Sequence, residues 1–142
     1  YPSGNLNRDQ QKELSSKIKE LTAGLGANVV YDPVGDKYSE PCIRATAWDG
    51  RYLVIGFAAG EIPKIPINLA LLKGMKIVGV FWGAWVSMFP EENKKNFLEL
   101  FKLHSQEKIK PEVSDSFPLE EGAKAIAHLK DRKAKGKVII KI

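Results

Sequence analysis

Apolar positions along this chain alternate between helical spacing and short continuous runs. Leu14, Ile18 and Leu21 recur at intervals of four and three, which places them on one helical face. Asn5 or Asn7 is a suitable N-cap for that helix. Thr22-Ala23-Gly24-Leu25-Gly26 ends it, with Gly24 expected at the C′ position. Runs at 27–31, 51–55 and 76–81 read as buried strands, and they stop at Asp32-Pro33, Gly56 and Trp82-Gly83. Between them the pattern predicts a helix over 39–48, with Pro41 in its first turn and a turn at Asp49-Gly50. A short helix over 68–72 closes at Gly74. Pro90 then opens a helix to 103 with Phe97, Leu98 and Phe101 inward. A strand over 112–117, a helix over 120–129 using Ala123, Ile126 and Ala127, and a strand over 137–142 complete the chain. Strands alternating with helices imply an α/β fold with a parallel sheet covered on both faces. The less regular second half implies a boundary between 86 and 90.

Composition narrows the picture. The 142 residues, 44% hydrophobic and 27% charged, suit a soluble globular chain of one domain's length. One cysteine, Cys42, excludes an intrachain disulfide and a cysteine zinc cluster. His104 and His128 are the only histidines, which argues against a metal site built from this chain alone. No apolar run reaches transmembrane length. The net charge of +5 is local: residues 130–142 hold six of the 22 Lys and Arg but one of the 17 acids, so the rest is balanced. The sequence starts at Tyr1 without Met or a signal-peptide pattern, which raises the expectation of a piece of a longer protein.

Candidate chemistry gathers at the strand ends. In parallel α/β sheets ligands bind beyond the carboxyl ends of the strands. Asp32-Pro33-Val34-Gly35, Ile55-Gly56-Phe57-Ala58 and Phe81-Trp82-Gly83 each supply a glycine there, which serves either a ligand or a tight turn. Gly24-Leu25-Gly26 is no dinucleotide fingerprint, because it closes a helix and precedes a strand. Cys42 reads as a small core residue, and His104 as a group near helix-terminal carbonyls. Glu91-Glu92 and Glu120-Glu121 fall in first helical turns, where they favour the dipole. The basic run from Lys130 to Lys137 lacks interleaved aromatics, which disfavours nucleic acid.

Taken with their flanks, these segments resemble the NADPH:quinone oxidoreductases, zinc-independent members of the medium-chain dehydrogenase/reductase superfamily. The resemblance rests on Val29-Val30-Tyr31-Asp32-Pro33-Val34-Gly35, Ala47-Trp48-Asp49-Gly50-Arg51 and Ile55-Gly56-Phe57-Ala58-Ala59-Gly60. It continues in the segment from Ile65 to Gly74 and in Gly136-Lys137-Val138. It implies the second half of a doubly wound Rossmann domain over 1–89, then a C-terminal segment, 90–142, returning to a GroES-like catalytic domain. The fingerprint loop and most of the catalytic domain would lie outside this sequence.

The resemblance also implies roles. Tyr1 matches a tyrosine on the adenine, and Val34 a residue touching the nucleotide. Ile55, Gly56, Phe57 and Ala58 match a stretch running along NADPH towards its nicotinamide. Phe81, Trp82 and Gly83 match the segment near the carboxamide, and Arg132 a late basic contact to NADPH. No catalytic acid, base or metal ligand is implied in this chain. Asp36 replaces a glycine common in relatives and is read as a helix cap rather than a change in the pocket wall. The implied reaction is hydride transfer to a quinone or electron-poor enone, with an enoyl reductase or a basic nucleotide- or nucleic-acid-binding module as alternatives. A cytoplasmic location, an inactive isolated chain, weak NADPH binding and self-association through strand 76–81 also follow as expectations.

Overall fold

Asn7 settles where the first helix starts. Its side-chain oxygen accepts from the Gln10 amide at 2.9 Å, while the Gln10 side chain accepts from the Asn7 amide at the same distance. This capping box opens α1, Arg8–Leu21. At the other end Ala23, not Gly24, is the C′ residue, with φ +51°. The Ala23 amide donates to Glu20 O and the Gly24 amide to Lys19 O, the paired bonds of a Schellman motif. The helix buries Leu14, but Leu21, expected on the same inward face, is exposed. The computed structural model describes residues 6–142 and divides into two compact units, one ending at Trp85 and one comprising Val86–Ile142.

The first unit is built on a parallel sheet of β1, Ala27–Asp32, β2, Thr46–Val54, and β3, Lys76–Gly79, in that spatial order. α2, Ser39–Arg44, and α3, Asn68–Lys73, make the crossovers, and Gly74 ends α3 in the left-handed conformation as expected. Ile43, Tyr52, Leu69 and Met75 form the buried core between these helices and the sheet, flanked by Val30, Cys42 and Val54. Both crossovers advance the same way, so right-handed connections set both helices on one face. Within this unit Val29, Tyr31 and Val78 on the other face are exposed, contrary to a sheet covered on both sides. Short apolar runs do not distinguish one covered face from two.

The helix expected over 39–48 ends at Arg44, because β2 begins early. Ala27 lies opposite Thr46 but Val29 opposite Arg51, so β2 bulges by three residues. The expected turn at Asp49-Gly50 is the crest of that bulge, with Asp49 at φ +55°. Glycine is needed because a Cβ on Gly50 would lie 2.6 Å from Thr46 Cγ2 and 2.9 Å from Ala47 O. β3 ends at Gly79 rather than at 81, although the Val80 amide still donates to Val54 O at 2.9 Å. Trp82 and Gly83, expected to follow the third strand in a turn or at a ligand, start α4, Trp82–Met88.

The second unit contains α5, Pro90–Ser105, followed by β4, Val113–Pro118, α6, Gly122–Lys130, and β5, Lys137–Lys141. β4 and β5 are parallel. Gly136 permits their close approach: a Cβ there would lie 2.5 Å from Glu112 O. Phe97, Leu98 and Phe101 are exposed rather than inward, because a two-stranded sheet and one short helix offer little surface to cover them. On α6 the buried residue is Ala125, while Ala123, Ile126 and Ala127 are exposed. The helix starts after a 3-10 turn at Leu119–Glu121 rather than at 120. His128 packs on Phe117, with ring centres 5.7 Å apart, and lies 3.2 Å from Asp115.

The two glycines after α1 separate strain from packing. Both have positive φ, but nothing lies within 4 Å of a Cβ on Gly24, whereas one on Gly26 would lie 2.5 Å from Ala45 O. In urea unfolding, Gly24→Ala is expected to lose about 1 kcal/mol from its left-handed backbone. Gly26→Ala is expected to lose about 2–4 kcal/mol, because backbone must also move. Equal losses would contradict the packing of this turn on β2.

Candidate cofactor site at the strand ends

The carboxyl edge of the three-stranded sheet is organised by one side chain, Asp32, the last residue of β1. It is 6% exposed. Its Oδ1 accepts the amides of Val34 at 2.8 Å and Gly35 at 2.9 Å. Its Oδ2 accepts the hydroxyls of Ser39, at 2.9 Å, and Tyr52. Burial opposes ionisation, but the bonds from Tyr52, Gly35, Val34 and Ser39 outweigh it and hold the carboxyl below its ordinary range. Burial and the bond to Asp32 push the Tyr52 hydroxyl upward in turn.

The loop held by Asp32 lies against the loop leaving β2. Ile55 and Gly56 donate to Asp32 O at 3.0 and 3.4 Å, Ala58 to Pro33 O at 3.1 Å, and Ala59 to Val34 O at 2.9 Å. Gly35 has φ +75°, and a Cβ on it would lie 2.8 Å from the Phe57 ring and 3.3 Å from Phe57 Cα. Val34, Ile55, Gly56, Phe57 and Ala58 are therefore neighbours in one continuous wall. Phe57 and Ala58 are exposed on it, and Val34, Ile55 and Gly56 are half-buried.

Past β3, Phe81 is 81% exposed and Trp82 56% exposed. Arg132 belongs to the second unit, where the Arg132 and Lys133 amides close α6 on Leu129 O and His128 O. Its backbone is left-handed, with φ +57°. Tyr1 lies outside the described residues. Asp36 does not hold a cap position: Gly35 precedes the 3-10 turn at Asp36–Tyr38, and Tyr38 precedes α2. The Tyr38 amide donates instead to Gly35 O at 3.3 Å. Asp36 instead has φ +52°, a conformation in which glycine is unstrained.

Local sequence pattern does not reveal the organising role of Asp32. An aspartate at a strand end, three residues before a glycine and seven before a serine, hints at a local loop anchor. Tyr52, twenty residues away, becomes its partner only through the β1–β2 register. Cys42 does pack beside the core, as expected.

Parallel strands with a backbone wall beyond their carboxyl ends are the arrangement in which open α/β sheets bind ligands. The chain belongs to the zinc-binding dehydrogenase family, whose sequence profile matches residues 7–140. It is 40% identical over 134 residues to the quinone oxidoreductase-like protein 2 homolog of Nematostella vectensis, covering 92% of this chain and 36% of that protein. It is 33% identical over 132 residues to quinone oxidoreductase-like protein 2 of Rattus norvegicus, covering 93% and 38%. A mycobacterial protein solved in complex with NADPH superposes with a TM-score of 0.76 at 25% identity, over 99% of this chain and 42% of that one. The chain thus spans less than half the length of these relatives.

The donor set does not fit zinc. Among the described residues no three His, Cys, Asp or Glu side chains cluster for a metal. Burial, then the charge of Asp32, pushes the Cys42 thiol up to about 11. The strand-end wall combines close backbone packing with an exposed Phe57 ring, and exposed Phe81 and Trp82 follow β3. No helix among the described residues is long and apolar enough to cross a membrane.

The Cys42 environment is directly testable. At pH 8 a thiol with its pKa raised to about 11 holds roughly a hundredfold less thiolate than one at the ordinary 9.0. Alkylation by iodoacetamide is expected to be slower by about that factor than in urea-unfolded chain. Equal rates would place Cys42 outside the core.

Proposed function

We propose that this chain forms part of the cofactor site of an NADPH-dependent oxidoreductase that passes hydride to a quinone or electron-poor enone. Residues 1–89 act as the later half of its nucleotide-binding domain, and 90–142 as the return to its catalytic domain. The observation that carries this reading is the bonded wall of Val34, Gly35 and Ile55–Ala59 beyond the parallel strands. The superposition on a mycobacterial protein solved with NADPH supports the choice of cofactor.

In this reading Val34 meets the nucleotide, and Ile55, Gly56, Phe57 and Ala58 line its course towards the nicotinamide. Phe81, Trp82 and Gly83 flank the carboxamide, while Tyr1 and Arg132 serve the adenine and a phosphate. Bound NADPH supplies the hydride. The chain's own contribution is to position the nicotinamide and keep water off one face of it, which requires fixed apolar surfaces more than acids or bases.

Among the described residues no strand is followed by a glycine fingerprint and helix, so they offer no helix N-terminus of that kind to the pyrophosphate. NADPH titration of the chain, followed by Trp fluorescence, is therefore expected to show weak binding without saturation and no quinone reduction. Joined to the preceding part of the Rattus norvegicus relative, the chain is expected to support saturable binding and quinone-dependent NADPH oxidation. A folded chimera inactive with every quinone and enone tried would overturn the proposal.

The exposed edge of β3, with Ile77 and Val78 on its strand, is the proposed surface for self-association. Sedimentation at tens of micromolar is expected to show a dimer, converted to monomer by Val78→Lys. A strictly monomeric chain would count against this surface.

A further inference from the structure

We propose that Asp32 is a positioning residue for the strand-end wall. Its buried carboxylate ties the Val34 and Gly35 amides to one oxygen and the Ser39 and Tyr52 hydroxyls to the other, fixing both loops before any ligand arrives. These donors come from three elements: the β1–α2 loop, α2 and β2. They require only acceptance, which an ionised carboxylate supplies and a neutral amide supplies with one oxygen alone.

The effect reaches beyond the loop that Asp32 touches. Pro33 O and Val34 O receive the Ala58 and Ala59 amides, and the left-handed Gly35 sits under the Phe57 ring. If Val34 and Gly35 leave the carboxylate, both acceptors move and the second loop loses its support. Tyr52 bonds neither loop, yet its hydroxyl helps fix the carboxylate that holds them.

The carboxylate also gives the wall a charge-dependent anchor. A carboxyl held below its ordinary pKa stabilises the fold above that range and loses this contribution as pH falls through its folded pKa. The titratable groups facing it are Tyr52 from β2 and Cys42 from α2, both pushed upward, so neither changes charge in acid. The ordering needs no cofactor. Its value for holding NADPH rests on the reading above, whose failure would leave the measurement below unaffected.

The test is residue-resolved amide hydrogen exchange on the chain, corrected for intrinsic rates and compared with amides of β2. Tyr52→Phe is expected to speed exchange at Val34, Gly35, Ala58 and Ala59 by about tenfold, with a smaller change along β2. In the unmodified chain the same four amides are expected to lose protection ahead of β2 as pH falls below the ordinary carboxylate range. Asp32→Asn is expected to abolish that step while keeping partial protection, because its oxygen can still accept from the loop amides. Uniform change across all amides, or none, would reduce Asp32 to a general core contact and overturn the proposal. If Tyr52→Phe does not fold, Ser39→Ala removes the other hydroxyl donor. If neither folds, loop and β2 amides losing protection together with pH in the unmodified chain would overturn it.

Discussion

A carboxylate buried at the end of a parallel strand must find its hydrogen bonds inside the protein. Asp32 meets that demand with donors from three directions, and the surrounding structure follows from them. Ser39 is fully buried at the start of α2, so the bond to Asp32 sets where that helix begins. Tyr52 belongs both to this network and to the apolar core with Ile43, Leu69 and Met75. One side chain therefore joins the polar edge of the sheet to its packed interior. The backbone bonds from Ala58 and Ala59 extend that order into the loop leaving β2.

The one-sided sheet places a second constraint on the unit. Its core lies between β2 and the two crossover helices, while Tyr31, Leu53 and Val78 align across the opposite face by register. Tyr31 and Val78 are exposed there, as is Val29 one pleat away. The strand-end loops are nevertheless bonded to Asp32 and to each other, because these partners lie within this unit. Local hydrogen bonding has thus shaped the candidate wall separately from whatever covers the far face. The geometry of the candidate wall depends on Asp32 and the β1–β2 register, rather than on the amount of apolar surface buried.

Much of this was legible in the chain because it depends on local pattern. Three apolar runs located the three strands, Gly74 located the end of α3, and the glycine-bearing strand ends located the candidate wall. The misread features depend on contacts distant in sequence. α2 stops at Arg44 because β2 starts early, where the residues around Ala45 pack under Gly26 and Gly50. Nothing in the local pattern at 39–48 shows that contact. Phe97, Leu98 and Phe101 share a helix face, but periodicity cannot show whether a layer of the same unit covers it. Asp32 was visible as a strand terminator, whereas its bond to Tyr52 emerges only from strand pairing.

Under the proposed hydride transfer, what matters is how little the wall must move when its ligand arrives. A wall already bonded at Ile55, Gly56, Ala58 and Ala59 loses less conformational freedom on binding than a loose loop of equal length. Backbone groups also hold position better than long side chains, which suits a reaction whose protein contribution is alignment. Asp32 lies beneath that wall, bonded to amides and hydroxyls rather than displayed on the surface. Its consequence for chemistry is therefore indirect, through the stiffness of the groups it holds. In the site proposed above, such a buried acid would act by fixing orientation rather than by donating a proton.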